Sequence, residues 1–201
     1  MNDVAEPFGS SRTLAFSDGV FAIAITLLIL EIRVPPESAP GGLGNALVDL
    51  WPSYLAFLVS FATIGVMWLN HHRLFTLINK VDDGLIGLNL LLLLGVTWVP
   101  FPTALLAEHL LGPDQHIAAV VYAGTGFGLA LVFNGLWRHV VRHRQVVDHL
   151  DVDAITRQYA LGPIFYAASI LIALVNATAL LVVSGAFAVY FTLPPRLWRR
   201  K

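Results

Sequence analysis

The sequence predicts an all-α, polytopic membrane protein, and three observations predict it. Of its 201 residues, 57% are hydrophobic and only 12% are charged. A soluble domain is usually about one quarter charged. The mean hydropathy is +0.73, and the apolar runs reach the roughly 20 residues that a bilayer crossing requires. Finally, the basic residues alternate sides in a way that fits six crossings. The net charge of −1 says little, because in a membrane the place of a charge matters more than the sum. With no cysteine, disulfides, thiolate metal sites and cysteine nucleophiles are excluded. No cleavable signal is evident, since Asp3 and Glu6 precede Arg12 and the first apolar run exceeds a signal core.

Six helices are expected in one domain spanning 1–201. The first covers about 13–33 and ends before Pro35, Pro36, Pro40, Gly41 and Gly42. The second covers about 50–72 and continues past the bilayer towards Lys80, ending at Asp82-Asp83-Gly84. The third, about 85–107, is bent or thinned near its far end by Pro100 and Pro102. Gly112-Pro113-Asp114 leads into the fourth, about 116–137. A polar segment with Arg138, Arg142, Arg144, Asp148, Asp151 and Asp153 follows; its basic part reads as an anchor to anionic lipid rather than a nucleic-acid site. The last apolar block, about 159–193, is split at Asn176-Ala177-Thr178 into helices of about 157–175 and 178–194.

Charge supports that split. One side receives Arg12, Arg73, Lys80, Arg138, Arg142, Arg144, Arg157, Arg196, Arg199, Arg200 and Lys201, whereas the other receives Arg33. By the positive-inside rule both termini are cytoplasmic. A single final helix would put the C-terminal basic cluster outside.

The first helix carries the sharpest pattern. At about 100° per residue, Ile23, Leu27 and Leu30 fall within about 60° of one another, with Gly19 and Thr26 beside them. Asp18 lies about 140° from Ile23 on the same wheel. An aliphatic stripe on a membrane helix usually faces lipid or packs; it can also line a narrow pore that gates by dewetting. Asp18 could bind a cation, relay protons or fix the helix to its neighbours. Because it points away from Ile23, both cannot line one pore, which favours the structural role.

On the second helix, Trp68, His71, His72 and Phe75 share a stripe at i, i+3, i+4 and i+7. Adjacent histidines diverge by about 100° and the stripe holds no His-x-x-x-His pair, so no metal site is expected. A hydrogen-bonded knot is expected instead: the Trp68 N–H and one histidine meet the Asp18 carboxylate, helped by Asn70 or Asn89. Asn89, Asn134 and Asn176 read as interhelical links, and Trp98, Pro100, Phe101 and Pro102 as an interfacial belt. In Thr125-Gly126-Phe127-Gly128, the Gly124/Gly128 spacing favours helix packing over an ion filter. No catalytic motif stands out, so an enzyme is not expected.

Arg12 with Phe16-Ser17-Asp18, then Trp68-Leu69-Asn70-His71-His72-Arg73, Asn89 and Pro100-Phe101-Pro102-Thr103 resemble the motifs of the transmembrane protein 175 family. That family comprises potassium-permeable channels of bacteria and of endosomes and lysosomes. The resemblance covers nearly the whole chain, with its specific motifs in the first half. It implies a homotetramer in a bacterial inner membrane. The first helix of each subunit would line a central pore without the usual potassium selectivity-filter loop. It implies a constriction at Ile23, further rings at Leu27 and Leu30, and a hydroxyl ring at Thr26. Position 22 is Ala, so no polar ring precedes Ile23. Arg12, Ser17, Asp18, Trp68, His71, His72 and Asn89 would form the polar network that holds the pore helix. Potassium would be the permeant, with no cofactor, no nucleic-acid partner and no soluble substrate. The competing expectation is a proton-coupled secondary transporter in which Asp18 and a second-helix histidine titrate. Such carriers often show two related halves, and none is visible here.

Overall fold

The computed structural model describes residues 8–147 and 151–192, with side chains for 11–147 and 151–189. Asp3, Glu6, Asp148, the end of the last expected helix and the basic residues Arg196, Arg199, Arg200 and Lys201 lie outside the described residues. The described residues form helices throughout: α1 (Phe8–Leu27), α2 (Gly42–Asp49), α3 (Trp51–Thr76), α4 (Asp83–Trp98), α5 (Pro100–His109), α6 (Gln115–Arg142), α7 (Val152–Ala173) and α8 (Ala177–Thr192). A 3₁₀ turn, Leu28–Glu31, extends α1. Four stretches are long and apolar enough to cross a bilayer: Ser11–Glu31, Trp51–Thr76, Asp83–His109 and Gln115–Arg142. Ala177–Val189 is a shorter apolar helix.

Element ends follow local chemistry. Asp82 caps α4 by accepting a hydrogen bond from the Leu85 N–H at 2.7 Å, and Asp151 caps α7 by accepting from Ala154 N–H at 2.9 Å. The Asn176 side chain accepts from Ala179 N–H at 2.8 Å, so this residue caps α8 rather than linking helices. Pro100 and Pro102 bring no N–H, and the helix breaks at Val99 between α4 and α5. Two differences from expectation concern length. α3 stops at Thr76, short of Lys80, because Leu77–Asn79 pair with Gln145–Val147 instead. The connection that starts with Pro35 holds a short helix, α2, entered through Gly41 and Gly42 at φ of 77° and 80°.

α1 packs along α3 and α4. On this side Phe21, Ala24 and Leu28 join Ile64, Leu74, Phe75, Leu92 and Val96 in one buried cluster. A second cluster, with Val59, Leu106, Ala119, Leu180 and Leu181, occupies the other half of the bundle and holds α8 against α3. Between the halves, Ser60 Oγ lies 3.0 Å from Tyr122 Oη and accepts from Thr103 Oγ1 at 2.8 Å. This link joins α3, α5 and α6.

The glycine expectation is corrected. Gly126, not the Gly124/Gly128 pair, is the close contact, because a Cβ there would meet the Tyr166 ring at 2.5 Å. Gly124 and Gly128 border an open apolar groove with Leu91, Leu94 and Trp98. Asn134 does link helices, donating to the Tyr159 carbonyl at 2.9 Å.

Candidate functional site

The candidate site is α1 and the side chains that fix its rotation. Ile23 is 60% exposed, Leu27 42% and Leu30 69%, although all are large aliphatics. The 3₁₀ turn matters here. At about 120° per residue it brings Leu30 directly over Leu27, where α-helical spacing would offset them. Thr26 shares this open face, and its hydroxyl hydrogen is already used: Oγ1 lies 3.0 Å from the Ala22 carbonyl and 2.9 Å from that of Ile23. Only its lone pairs remain to face outward.

The opposite face is tied down twice. The Trp68 indole N–H donates to Asp18 Oδ1 at 2.8 Å. Deeper in the bundle, fully buried His71 donates from Nε2 to Asn89 Oδ1 at 2.8 Å, Asn89 donates to Ser17 Oγ at 2.9 Å, and Ser17 donates to the Thr13 carbonyl at 2.8 Å. These bonds join α3, α4 and α1 through neutral groups, as a dry interior demands. Phe75 stacks on the His71 ring at 4.5 Å and Phe21 tilts over it at 5.3 Å.

The expected single knot is therefore two separate links, and its membership changes. His71 meets Asn89 rather than Asp18. His72 is exposed and lies against the Trp68 ring, with centroids 6.0 Å apart. A helix turns adjacent side chains apart, so burying His71 expels His72. Arg12 is exposed, and no ion pair joins it to Asp18 among the described residues. Asn70 borders a small cavity with Asn134, Gln158 and Tyr159, away from Asp18.

Sequence reasoning missed a further cluster at the α4 N-terminus. His139 Nε2 donates to Asp82 at 2.9 Å, and Gln145 Nε2 donates to the same carboxylate at 2.6 Å. The backbone pairs beside them: Asn79 N–H to the Gln145 carbonyl and Val147 N–H to the Leu77 carbonyl, both at 2.9 Å. The Leu85 N–H, above all, and the His139 and Gln145 contacts hold the Asp82 carboxyl below its ordinary range. One signal was present: His139 and His143 have the His-x-x-x-His spacing that the second helix lacks.

Together these features define a polytopic helical membrane protein with one aliphatic helix face presented outward from a hydrogen-bonded anchor. The sequence profile described as "Endosomal/lysosomal potassium channel TMEM175" matches residues 12–100, which contain most of α1, the anchor and Asn89. A protein of Chamaesiphon minutus named a potassium channel is 48% identical over 199 residues, covering 96% of this chain and 98% of the relative. One of Streptomyces collinus, also named a potassium channel, is 48% identical over 187 residues, covering 90% and 91%. The crystal structure of a lysosomal potassium-selective channel TMEM175 homolog from Chamaesiphon minutus superposes with a TM-score of 0.83 at 50% identity, covering 91% of this chain and 96% of that one. The chain belongs to the TMEM175 family. This is a family of ion channels, not of enzymes.

Proposed function

We propose that the chain is a passive potassium channel that assembles as a homotetramer, with α1 of each subunit lining the central pore. The observation that carries this reading is the open Ile23, Leu27 and Leu30 face lying opposite the Ser17 and Asp18 anchors. A lone helix face so apolar needs a partner or lipid. In a channel, that partner is further copies of the same face around a central ion path, and we take the ring to be fourfold. Ile23 forms the narrowest ring, Leu27 and Leu30 stack as further rings, and Thr26 turns oxygen lone pairs to the ion path. Aliphatic rings of this kind pass ions when wide and exclude water when narrow. Arg12, Ser17, Asp18, Trp68, His71, His72 and Asn89 belong to the scaffold that orients the pore helix. Of these, Ser17, Asp18, Trp68, His71 and Asn89 act by hydrogen bonding, while Arg12 and His72 act from the exposed flank. That flank, including half-exposed Trp68, is what a neighbouring subunit covers. The single domain spans 1–201 with six crossings and cytoplasmic termini in a bacterial inner membrane, supported by the basic-residue bias.

The test is potassium flux into liposomes holding the purified tetramer, driven by an imposed gradient alone. Flux that falls when sodium replaces potassium supports the channel, and Ile23→Asn should raise leak several-fold by wetting the narrowest ring. Unchanged leak in folded Ile23→Asn tetramers would remove Ile23 as the constriction. The carrier reading has less support, since among the described residues Asp18 accepts from Trp68 while His71 bonds Asn89 instead. Slow, saturable flux that requires a proton gradient would restore it.

A further inference from the structure

A cluster outside the pore helix carries a second ligand chemistry. His139 and His143 lie one turn apart at the end of α6, their rings stacked with centroids 4.1 Å apart and planes at 28°. Asp82, from the start of α4, sits against them. Each of the three can present one ligand atom, and these atoms all lie within 4.8 Å of one another. We propose that Asp82, His139 and His143 form a binding site for a zinc-class divalent cation at the junction of α4 and α6.

The donor set selects the metal. Two imidazoles and one carboxylate suit Zn²⁺ and its first-row neighbours, while Mg²⁺ and Ca²⁺ prefer oxygen donors throughout. Three protein ligands leave a fourth tetrahedral position for water. Bonds of about 2.0–2.1 Å to zinc put ligand atoms about 3.4 Å apart. Asp82 Oδ1 and His139 Nε2 are already 2.9 Å apart. The His143 ligand atom lies within 4.8 Å of the other two, and a small shift of this exposed side chain at the C-cap of α6 closes the remaining gap.

The outer contacts are those that a metal site needs. The His143 Nδ1–H donates to the His139 carbonyl at 2.9 Å, which leaves Nε2 as the free ligand atom. The Asp82 carboxylate is oriented by the Leu85 N–H and by the buried Gln145 amide. Gly84 lets the imidazole approach, since a Cβ there would lie 2.6 Å from His139 Cε1. Metal entry displaces the hydrogen now shared by Asp82 and His139, as is usual when a ligand is metallated.

Occupancy would staple the start of α4 to the end of α6. Asn89, which grips Ser17 of α1, lies about two turns further along α4. The site is thereby mechanically joined to the pore helix through one rigid element.

The experiment measures Zn²⁺ binding to the tag-free, full-length protein in detergent by equilibrium dialysis, and so does not depend on conduction. Wild type should take up one saturable Zn²⁺ per subunit. His143→Gln, at an exposed position that leaves the Asp82 cap intact, should weaken this binding by at least about tenfold. His109→Gln, at the opposite end of the α4–α5 unit, should not. A monodisperse elution profile confirms that each variant is folded. Equal binding by wild type and His143→Gln, or no saturable binding by wild type, would overturn the site.

Discussion

α4 carries two histidine contacts that differ in their solvent and in their chemistry. At its start, Asp82 receives His139 beside water, and the side chains keep 33% and 17% exposure. About two turns deeper, Asn89 receives fully buried His71. Both bonds use a histidine Nε2 and an oxygen on the same helix. The wet end employs a carboxylate, and the dry end a carboxamide. A carboxylate buried at Asn89 would be costly to desolvate, and a second donor would be lost. The carboxamide accepts from His71 while donating to Ser17, so a single neutral side chain joins three helices. Exposure to solvent, rather than the histidine, determines which partner works.

The largest test of this contrast is Asn89→Leu. It orphans the buried His71 Nε2 and removes the donor to Ser17 Oγ, which keeps only its bond to the Thr13 carbonyl. At about 1–3 kcal/mol for the orphaned His71 Nε2 and about 1 kcal/mol for the lost bond to Ser17, the loss should be about 2–4 kcal/mol. The expected readout is a marked fall in the thermal midpoint of the assembled protein, followed by size-exclusion chromatography after heating. A midpoint near wild type would mean that the dry link does not hold α1.

Trp68→Phe should cost less, about 1.5 kcal/mol, because it removes one hydrogen bond to a carboxylate that is only half-buried. The same heating assay measures it, and an effect larger than that of Asn89→Leu would invert the ranking of the two anchors. Smallest is Asp82→Asn. Asparagine still caps α4 and still accepts from His139, so stability should stay within about 1 kcal/mol of wild type. A collapse of the fold on this change would show that charge, rather than shape, holds the wet end.

Much of this was legible in the sequence, and the rest was hidden for one recurring reason. Wheel angles put Asp18 opposite Ile23, and the structure keeps the first tied and the second open. The Asp18–Trp68 bond was expected from residue type and placement. The same stripe could not say whether His71 or His72 turns inward, since a wheel fixes directions within a helix but not its rotation against neighbours. Gly126 was passed over for this reason too: the spacing of Gly124 and Gly128 looked like a packing face, but Tyr166 of α7 lies over Gly126. The α6 histidines were readable as a spacing, yet nothing local joins His139 to Asp82. That contact requires the Leu77–Asn79 and Gln145–Val147 segments to pair.

By itself the sequence determined the helical membrane class, the proline break at Val99, the helix start at Asn176 and the two-faced character of α1. These depend on hydropathy, on missing N–H groups and on residue periodicity, all of which are local. The tertiary structure decided which histidine is buried, which glycine is crowded and which distant carboxylate each imidazole meets. Those are settled by how helices rotate and slide to fill space while pairing most of their buried polar groups, and that balance exists only once the helices are packed together.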